Sequence, residues 1–239
     1  MNKNRFRKVF SKRLGMLVAV GENAKGRSKG QGEGIGGGSA FDIHVVSGIK
    51  SVVLAIVLAL AETTAFAQSL PTGGQYTAGS GTISTNGGTM TVDQNTQRGV
   101  INWNTFNVGA GNTVQFNQPN AQSKTLNIVS GGVPSNIQGS LLANGQIFIQ
   151  NSSGILFGKG AVVNVGSLLA TTKAIDPNAF MNGDLLSLSS TGKSGVVQND
   201  GNIQASGFVT LVGDQVRNTG SITVPGGQVV LAAGDSATV

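Results

Sequence analysis

Four stretches of this chain place an aliphatic residue two positions after one glycine and four before the next: Gly81-Thr-Ile83 to Gly87, Gly139-Ser-Leu141 to Gly145, Gly201-Asn-Ile203 to Gly207 and Gly220-Ser-Ile222 to Gly226. Each leads into apolar residues at alternate positions: Met90 and Val92, Ile147 and Ile149, Val209 and Leu211, Val229 and Leu231. A period of two is the signature of a strand with one buried face. Glycine and asparagine supply the corners, where positive φ is tolerated. The last two copies lie 19 residues apart, and "NDGNIQASGFVTLVGDQV" aligns with "NTGSITVPGGQVVLAAGDSA" nearly throughout.

A unit of about 20 residues cannot bury its own apolar face and must stack on its neighbours. The predicted architecture is therefore a parallel β-helix with continuous inward ladders of Ile, Leu and Val. An antiparallel sandwich would explain the strands but not the repeat. Disorder is inconsistent with so many apolar strands. Solenoids need covered ends. "QSLPTGGQYTAGSG" at 68–81 is the expected N-terminal cap, and Trp103 and Phe106 are expected core or cap aromatics. The sequence stops in mid-repeat at "LAAGDSATV", which predicts a longer solenoid or a truncated product.

One apolar segment breaks this pattern. "IKSVVLAIVLALAETTAFAQ" has Lys50, an apolar run over 52–61, then Ala65-Phe66-Ala67 before Gln68. The run is half the roughly 20 residues a membrane-spanning helix requires. A charge, a short apolar core and a small-x-small site define a secretory signal peptide cut between Ala67 and Gln68. The leader is 1–67, with a basic extension at 1–30, a Gly-rich link at 27–39 and the apolar core at 52–61. The mature region is 68–239.

That boundary resolves the net charge of +6. The excess lies in the leader, from Lys3, Arg5, Arg7, Lys8, Lys12 and Arg13 to Lys50. In the mature region Arg98, Lys124, Lys159, Lys173, Lys193 and Arg217 balance Asp93, Asp176, Asp184, Asp200, Asp214 and Asp235. A neutral region with scattered cations offers no electrostatic footprint for nucleic acid. The chain has no cysteine, and its one histidine, His44, and its glutamates Glu22, Glu33 and Glu62 all fall in the leader. Histidine- and cysteine-based nucleophilic sites and His/Cys zinc sites are therefore not available to the mature region. Only aspartates remain for acid–base or calcium chemistry, with Asp176/Asp184 and Asp200/Asp214 as the pairs a fold would have to bring together. Solvated turns are their expected place. No enzyme activity, metal or cofactor is expected.

Two stretches carry a family resemblance. "MNKNRFRKVFSKRLGMLVAVGENAKGR" resembles the extended signal peptide region of very large Gram-negative exported proteins. The segments "INWNTFNVGAG", "VQFNQPN", "PSNIQGSLLANGQIFI", "GILFGKGAVVNVGSLLATT" and "GQVVLAAGDS" resemble the filamentous haemagglutinin N-terminal domain, also called the haemagglutination activity or two-partner secretion domain. The resemblance implies a right-handed β-helix. It also implies export by the general secretory translocon, cleavage by signal peptidase, and recognition by periplasmic domains of an outer-membrane β-barrel transporter. Such modules head adhesins, haemolysins, haem-scavenging exoproteins and contact-dependent toxins, and a host-surface or carbohydrate ligand would be engaged further along.

On residues, the family pattern Asn-Arg-Val appears here as Asn127-Ile128-Val129, and Asn-Pro-Asn-Gly as Asn151-Ser152-Ser153-Gly154. Asn117 and Pro119 fall in the "VQFNQPN" segment. These five, Asn117, Pro119, Asn127, Asn151 and Gly154, are the expected transporter-recognition or structural-turn residues. The competing readings are a β-helix protein that binds or cleaves carbohydrate, such as a polysaccharide lyase, and an adhesin acting by itself.

Overall fold

The computed structural model describes residues 70–238 in full and the backbone of two leader strands, β1 (Phe6–Ser11) and β2 (Met16–Gly21). The chain separates into two units, Met1–Val53 and Leu54–Val239. In the first, β1 and β2 pair as an antiparallel hairpin, from Phe6 opposite Gly21 to Ser11 opposite Met16. The Gly-rich link, the apolar core and the cleavage residues Ala65, Ala67 and Gln68 lie outside the described residues.

Along the second unit run β3 (Gln75–Ala78), β4 (Gly81–Asn86), β5 (Thr89–Gln94), β6 (Arg98–Trp103), β7 (Thr113–Asn117), β8 (Lys124–Val129), β9 (Ser135–Ile137) and β10 (Ser140–Ala143). Then come β11 (Gln146–Gln150), β12 (Ile155–Phe157), β13 (Val162–Val165), β14 (Ser167–Thr171), β15 (Ala174–Ile175), helix α1 (Pro177–Asn182) and β16 (Ser187–Ser189). The last are β17 (Val196–Asn199), β18 (Asn202–Ala205), β19 (Phe208–Gly213), β20 (Gln215–Asn218), β21 (Ser221–Thr223), β22 (Gln228–Ala233) and β23 (Ala237–Thr238).

Three parallel sheets wrap one core. The first stacks β5, β7, β10, β13, β18 and β21; the second stacks β6, β8, β11, β14, β19 and β22; the third stacks β9, β12, β17 and β20. The result is the parallel β-helix the repeat predicts, right-handed as the family resemblance implies. Its inward ladders follow the strand register: Met90, Val114, Leu141, Val163, Ile203 and Ile222 stack in the first sheet. In the second, Ile101, Asn127, Ile149, Ala170, Leu211 and Leu231 stack. Each aliphatic residue fully buried this way contributes about 1.5–3 kcal/mol.

Two details differ from the sequence pattern. The first glycine copy, Gly81 to Gly87, is not a coil. There β4 runs antiparallel to β5, with Asn86 paired to Thr89 across Gly87-Gly88. Gly87 has φ +56°, as a tight two-residue hairpin requires. The cap therefore extends beyond residue 81: β3 pairs antiparallel with β6, and β4 closes the first sheet. Trp103 and Phe106 sit beneath the cap, fully buried, with ring centroids 5.5 Å apart in an edge-to-face contact.

The second difference is an excursion between β14 and β17. β15 and β16 pair antiparallel, with α1 between them, and β23 joins β16. Asp176 caps α1 by accepting from the Asn178 N–H at 2.8 Å, Pro177 opens it, and Gly183 ends it at φ +86°. Ile175, Phe180 and Leu188 from this insertion bury the outward face of the second sheet: Val100, Leu126, Phe148, Leu169 and Val212. The second sheet is thus covered on both sides, and β14 is buried along its whole length.

Candidate functional site

Asn151 directly follows the second-sheet strand β11 and forms the corner that leads to β12. Its backbone N–H donates to the Thr171 carbonyl of the following coil at 2.9 Å. Its Nδ2 donates to the Val133 carbonyl at 3.0 Å and to Ser135 Oγ at 2.9 Å, both in the preceding coil. Its Oδ1 accepts from the Ser153 N–H at 3.0 Å, and its carbonyl from the Gly154 N–H at 3.0 Å. One buried amide thus ties three successive coils. Gly154 adopts φ +121°, and a Cβ there would stand 3.2 Å from the Val196 carbonyl, so glycine is the residue this corner accepts.

Asn127 is elsewhere. It lies within strand β8 rather than at a corner, and its side chain is fully buried in the second-sheet ladder. Its Oδ1 accepts from Trp103 Nε1 at 2.9 Å and its Nδ2 donates to the Phe148 carbonyl at 3.2 Å. A polar residue interrupts an aliphatic ladder here because the indole needs an acceptor when buried. Asn117 is exposed at the end of β7, where Nδ2 donates to Asp93 Oδ1 at 2.8 Å. Pro119 is exposed in the bend beyond it. The five residues do not converge: Asn127, Asn151 and Gly154 are interior, while Asn117 and Pro119 are on the surface.

A buried polar stack was not read from the sequence. At the corner between the first two sheets, Gln118 Nε2 donates to Thr125 Oγ1 at 2.9 Å, and Thr125 Oγ1 donates to Gln94 Oε1 at 2.6 Å. Gln118 Oε1 accepts from the Gly145 N–H at 2.9 Å. The recurrence of Asp93-Gln94 as Asn117-Gln118, with Asp93 in register with Asn117, is the signal that marks it. A further ladder links Asn199 Nδ2 to Asn218 Oδ1 at 2.8 Å.

The aspartates are dispersed. Asp176 caps α1. Asp200 accepts from Thr219 Oγ1 at 2.7 Å and Gln198 Nε2 at 2.8 Å, which hold its carboxyl below the usual range. Asp214 binds the buried Lys173 ammonium at 2.7 Å. That hydrogen bond, followed by those from the Gly195 N–H and Thr172 Oγ1, holds its carboxyl below the usual range against the opposing effect of burial. Among the described residues, no three His, Cys, Asp or Glu gather as they would around a metal, and no helix is long and apolar enough to cross a membrane.

The TPS (two-partner secretion) secretion domain family matches residues 67–239, and the extended signal peptide of the type V secretion system matches residues 1–47. A heme/hemopexin-binding protein of Haemophilus influenzae is 40% identical over 180 residues, which are 72% of this chain and 20% of that protein. A second heme/hemopexin-binding protein from Haemophilus influenzae is 41% identical over 87 residues, 36% of this chain and 9% of that one. The chain thus spans about a fifth or less of these relatives. Among solved structures, the HMW1 secretion domain from Haemophilus influenzae superposes with a TM-score of 0.67 at 31% identity, covering 70% of this chain and 46% of that one. Two-partner secretion pairs such a module with an outer-membrane transporter. The chain belongs to the TPS secretion domain family: it is the secretion-directing N-terminal module of an exoprotein, exported behind an extended signal peptide and released from a Gram-negative cell by way of the periplasm.

Proposed function

We propose that the module is a non-enzymatic address, read by the periplasmic domains of its transporter while still extended, and that it folds coil by coil at the cell surface. The supporting observation is how burial propagates. Val209 and Leu211 are fully buried beneath β22, whereas their register partners Val229 and Leu231 are each 47% exposed. Each coil is dried by the next one laid on it, so the stack is suited to ordering coil by coil as the chain emerges. Without disulfides, nothing covalent locks the chain in the periplasm beforehand. Extended strands rich in Asn, Ser and Thr are suited to pair with a periplasmic domain by strand addition.

The translocon and signal peptidase act first, with cleavage between Ala67 and Gln68. The neutral mature region and its dispersed aspartates support a role that involves neither nucleic acid nor catalysis. Contact with a host surface or carbohydrate, or the heme/hemopexin binding named in the relatives, belongs in this reading to the larger exoprotein. The test is co-purification of the leader-free chain, denatured and then diluted, with the transporter's periplasmic domains. Saturable capture of the unfolded chain and weaker capture of the folded one is expected. No capture of either removes the proposal.

A further inference from the structure

On the outer face of the second sheet, Arg98 and Lys124 are register partners on adjacent parallel strands. Like charges in that arrangement repel. Neither is within ion-pair distance of a described carboxylate; the ion pair present among the described residues joins Lys173 to Asp214. Arg98 is engaged by the insertion, with Nη1 donating to the Phe180 carbonyl at 2.7 Å near the end of α1. Among the described residues Lys124 Nζ has no such acceptor. Its Nζ lies 5.9 Å from the centre of the Phe148 ring. Burial, then repulsion from Arg98, pushes its ammonium pKa down.

This ammonium borders a cavity of about 300 Å³ between the sheet and the insertion. The other walls are Phe148, Phe208, Leu186, Leu185, Gly183 and Asp184. Phe148 and Phe208 meet edge to face with centroids 6.4 Å apart. At the rim, Leu185 is 81% exposed, the most open of the large apolar residues described. Asp184 is the one carboxylate of the wall and lies beyond ion-pair distance of Lys124. A wall of aromatic and leucine side chains, an ammonium without an ion pair among the described residues and an uncovered leucine together suit one kind of ligand.

We propose that this cavity binds a small amphipathic carboxylate, with its carboxylate on Lys124, its apolar body along the wall that Phe148 and Phe208 form together, and its outer end against Leu185. The volume is that of roughly ten water molecules at about 30 Å³ each, room for a medium-length acyl or aryl chain. The anion relieves the Arg98–Lys124 repulsion, and the chain covers apolar surface that is otherwise wet. The assignment stands independently of the transporter reading, because it concerns the folded coil alone.

The probe is decanoate, titrated into the folded, leader-free chain and followed by NMR shifts of the Phe148 and Phe208 rings and by calorimetry. Saturable binding is expected, at least tenfold stronger than that of decylamine or decanol. Lys124→Met weakens decanoate at least tenfold while leaving decanol unchanged, and Leu185→Asp weakens both; circular dichroism and thermal unfolding verify that each variant is folded. Absence of saturable binding overturns the proposal. So does equal affinity for decanoate and decylamine, or an unchanged affinity in Lys124→Met.

Discussion

Inside the solenoid, the Trp103 indole donates a 2.9 Å hydrogen bond to Asn127, the one polar side chain in a ladder that otherwise runs Ile101, Ile149, Ala170, Leu211 and Leu231. The amide also caps the Phe148 carbonyl, so it joins the coil below to the coil above. Asn127→Leu keeps the side chain's heavy-atom count and branching but leaves a buried indole N–H without an acceptor, and is expected to cost about 2 kcal/mol. A double-mutant cycle with Trp103→Phe, read by urea unfolding, should give a coupling of about 1 kcal/mol or more. Additive losses would mean that the hydrogen bond contributes nothing specific.

The Asn151–Gly154 corner makes two opposite predictions. Gly154→Ala places a side chain at φ +121° against the Val196 carbonyl and is expected to destabilise by about 1–3 kcal/mol. Ser152→Pro is expected to stabilise by about 0.5 kcal/mol, because none of the corner's hydrogen bonds uses the Ser152 N–H and proline restricts the unfolded chain. Melting temperatures of the two variants should move in opposite directions.

The Lys173–Asp214 pair anchors the start of the insertion to the coil that follows. Lys173 is fully buried, so Asp214→Asn leaves an uncompensated ammonium and is expected to cost about 3 kcal/mol. The sign of the pH effect follows from the lowered Asp214 pKa. Its contribution is complete above the ordinary carboxylate value of 3.8 and is lost as pH falls through the lower folded value. Hydrogen exchange across residues 173–195 should therefore rise on acidification below that range in the wild type, and be high already at neutral pH in the variant.

Tyr76 in the cap behaves in the reverse sense. Its hydroxyl has no hydrogen-bond partner among the described residues, and burial, aided by Asp93, pushes its pKa up to about 12. The fold favours the protonated phenol, so stability is full below the unfolded value near 10 and falls as pH rises toward 12. Tyr76→Phe should remove that alkaline loss and leave neutral-pH stability unchanged or higher by up to about 1 kcal/mol. Denaturant titrations at pH 7 and pH 11 distinguish the two proteins.

The β-helix was legible because Ile203 and Ile222 are 19 residues apart and pair directly. Val114 and Leu141 pair in the same ladder across 27 residues, and Val163 and Ile203 across 40, which hid two coils from a fixed-period reading. Longer corners absorbed the first difference and the insertion the second. The insertion carried its own signals, Asp176-Pro177 at the start of α1 and Gly183 at its end. Its destination did not show, because alternation identifies one buried face, whereas Phe148 and Leu169 are buried on the other. The recognition motifs led to residues with structural hydrogen bonds at Asn127 and Asn151. Asn127 lies within a strand, and the partner its side chain serves, Trp103, is 24 residues away in sequence, which no local motif reveals.

The most direct test expresses the full chain in a Gram-negative strain with and without its partner transporter and measures the leader-free solenoid in the medium and in the periplasm. The account predicts release into the medium only when the transporter is present, with Ala67–Gln68 cleavage in both strains. Equal periplasmic retention in both strains, with the chain exported and cleaved, would contradict it.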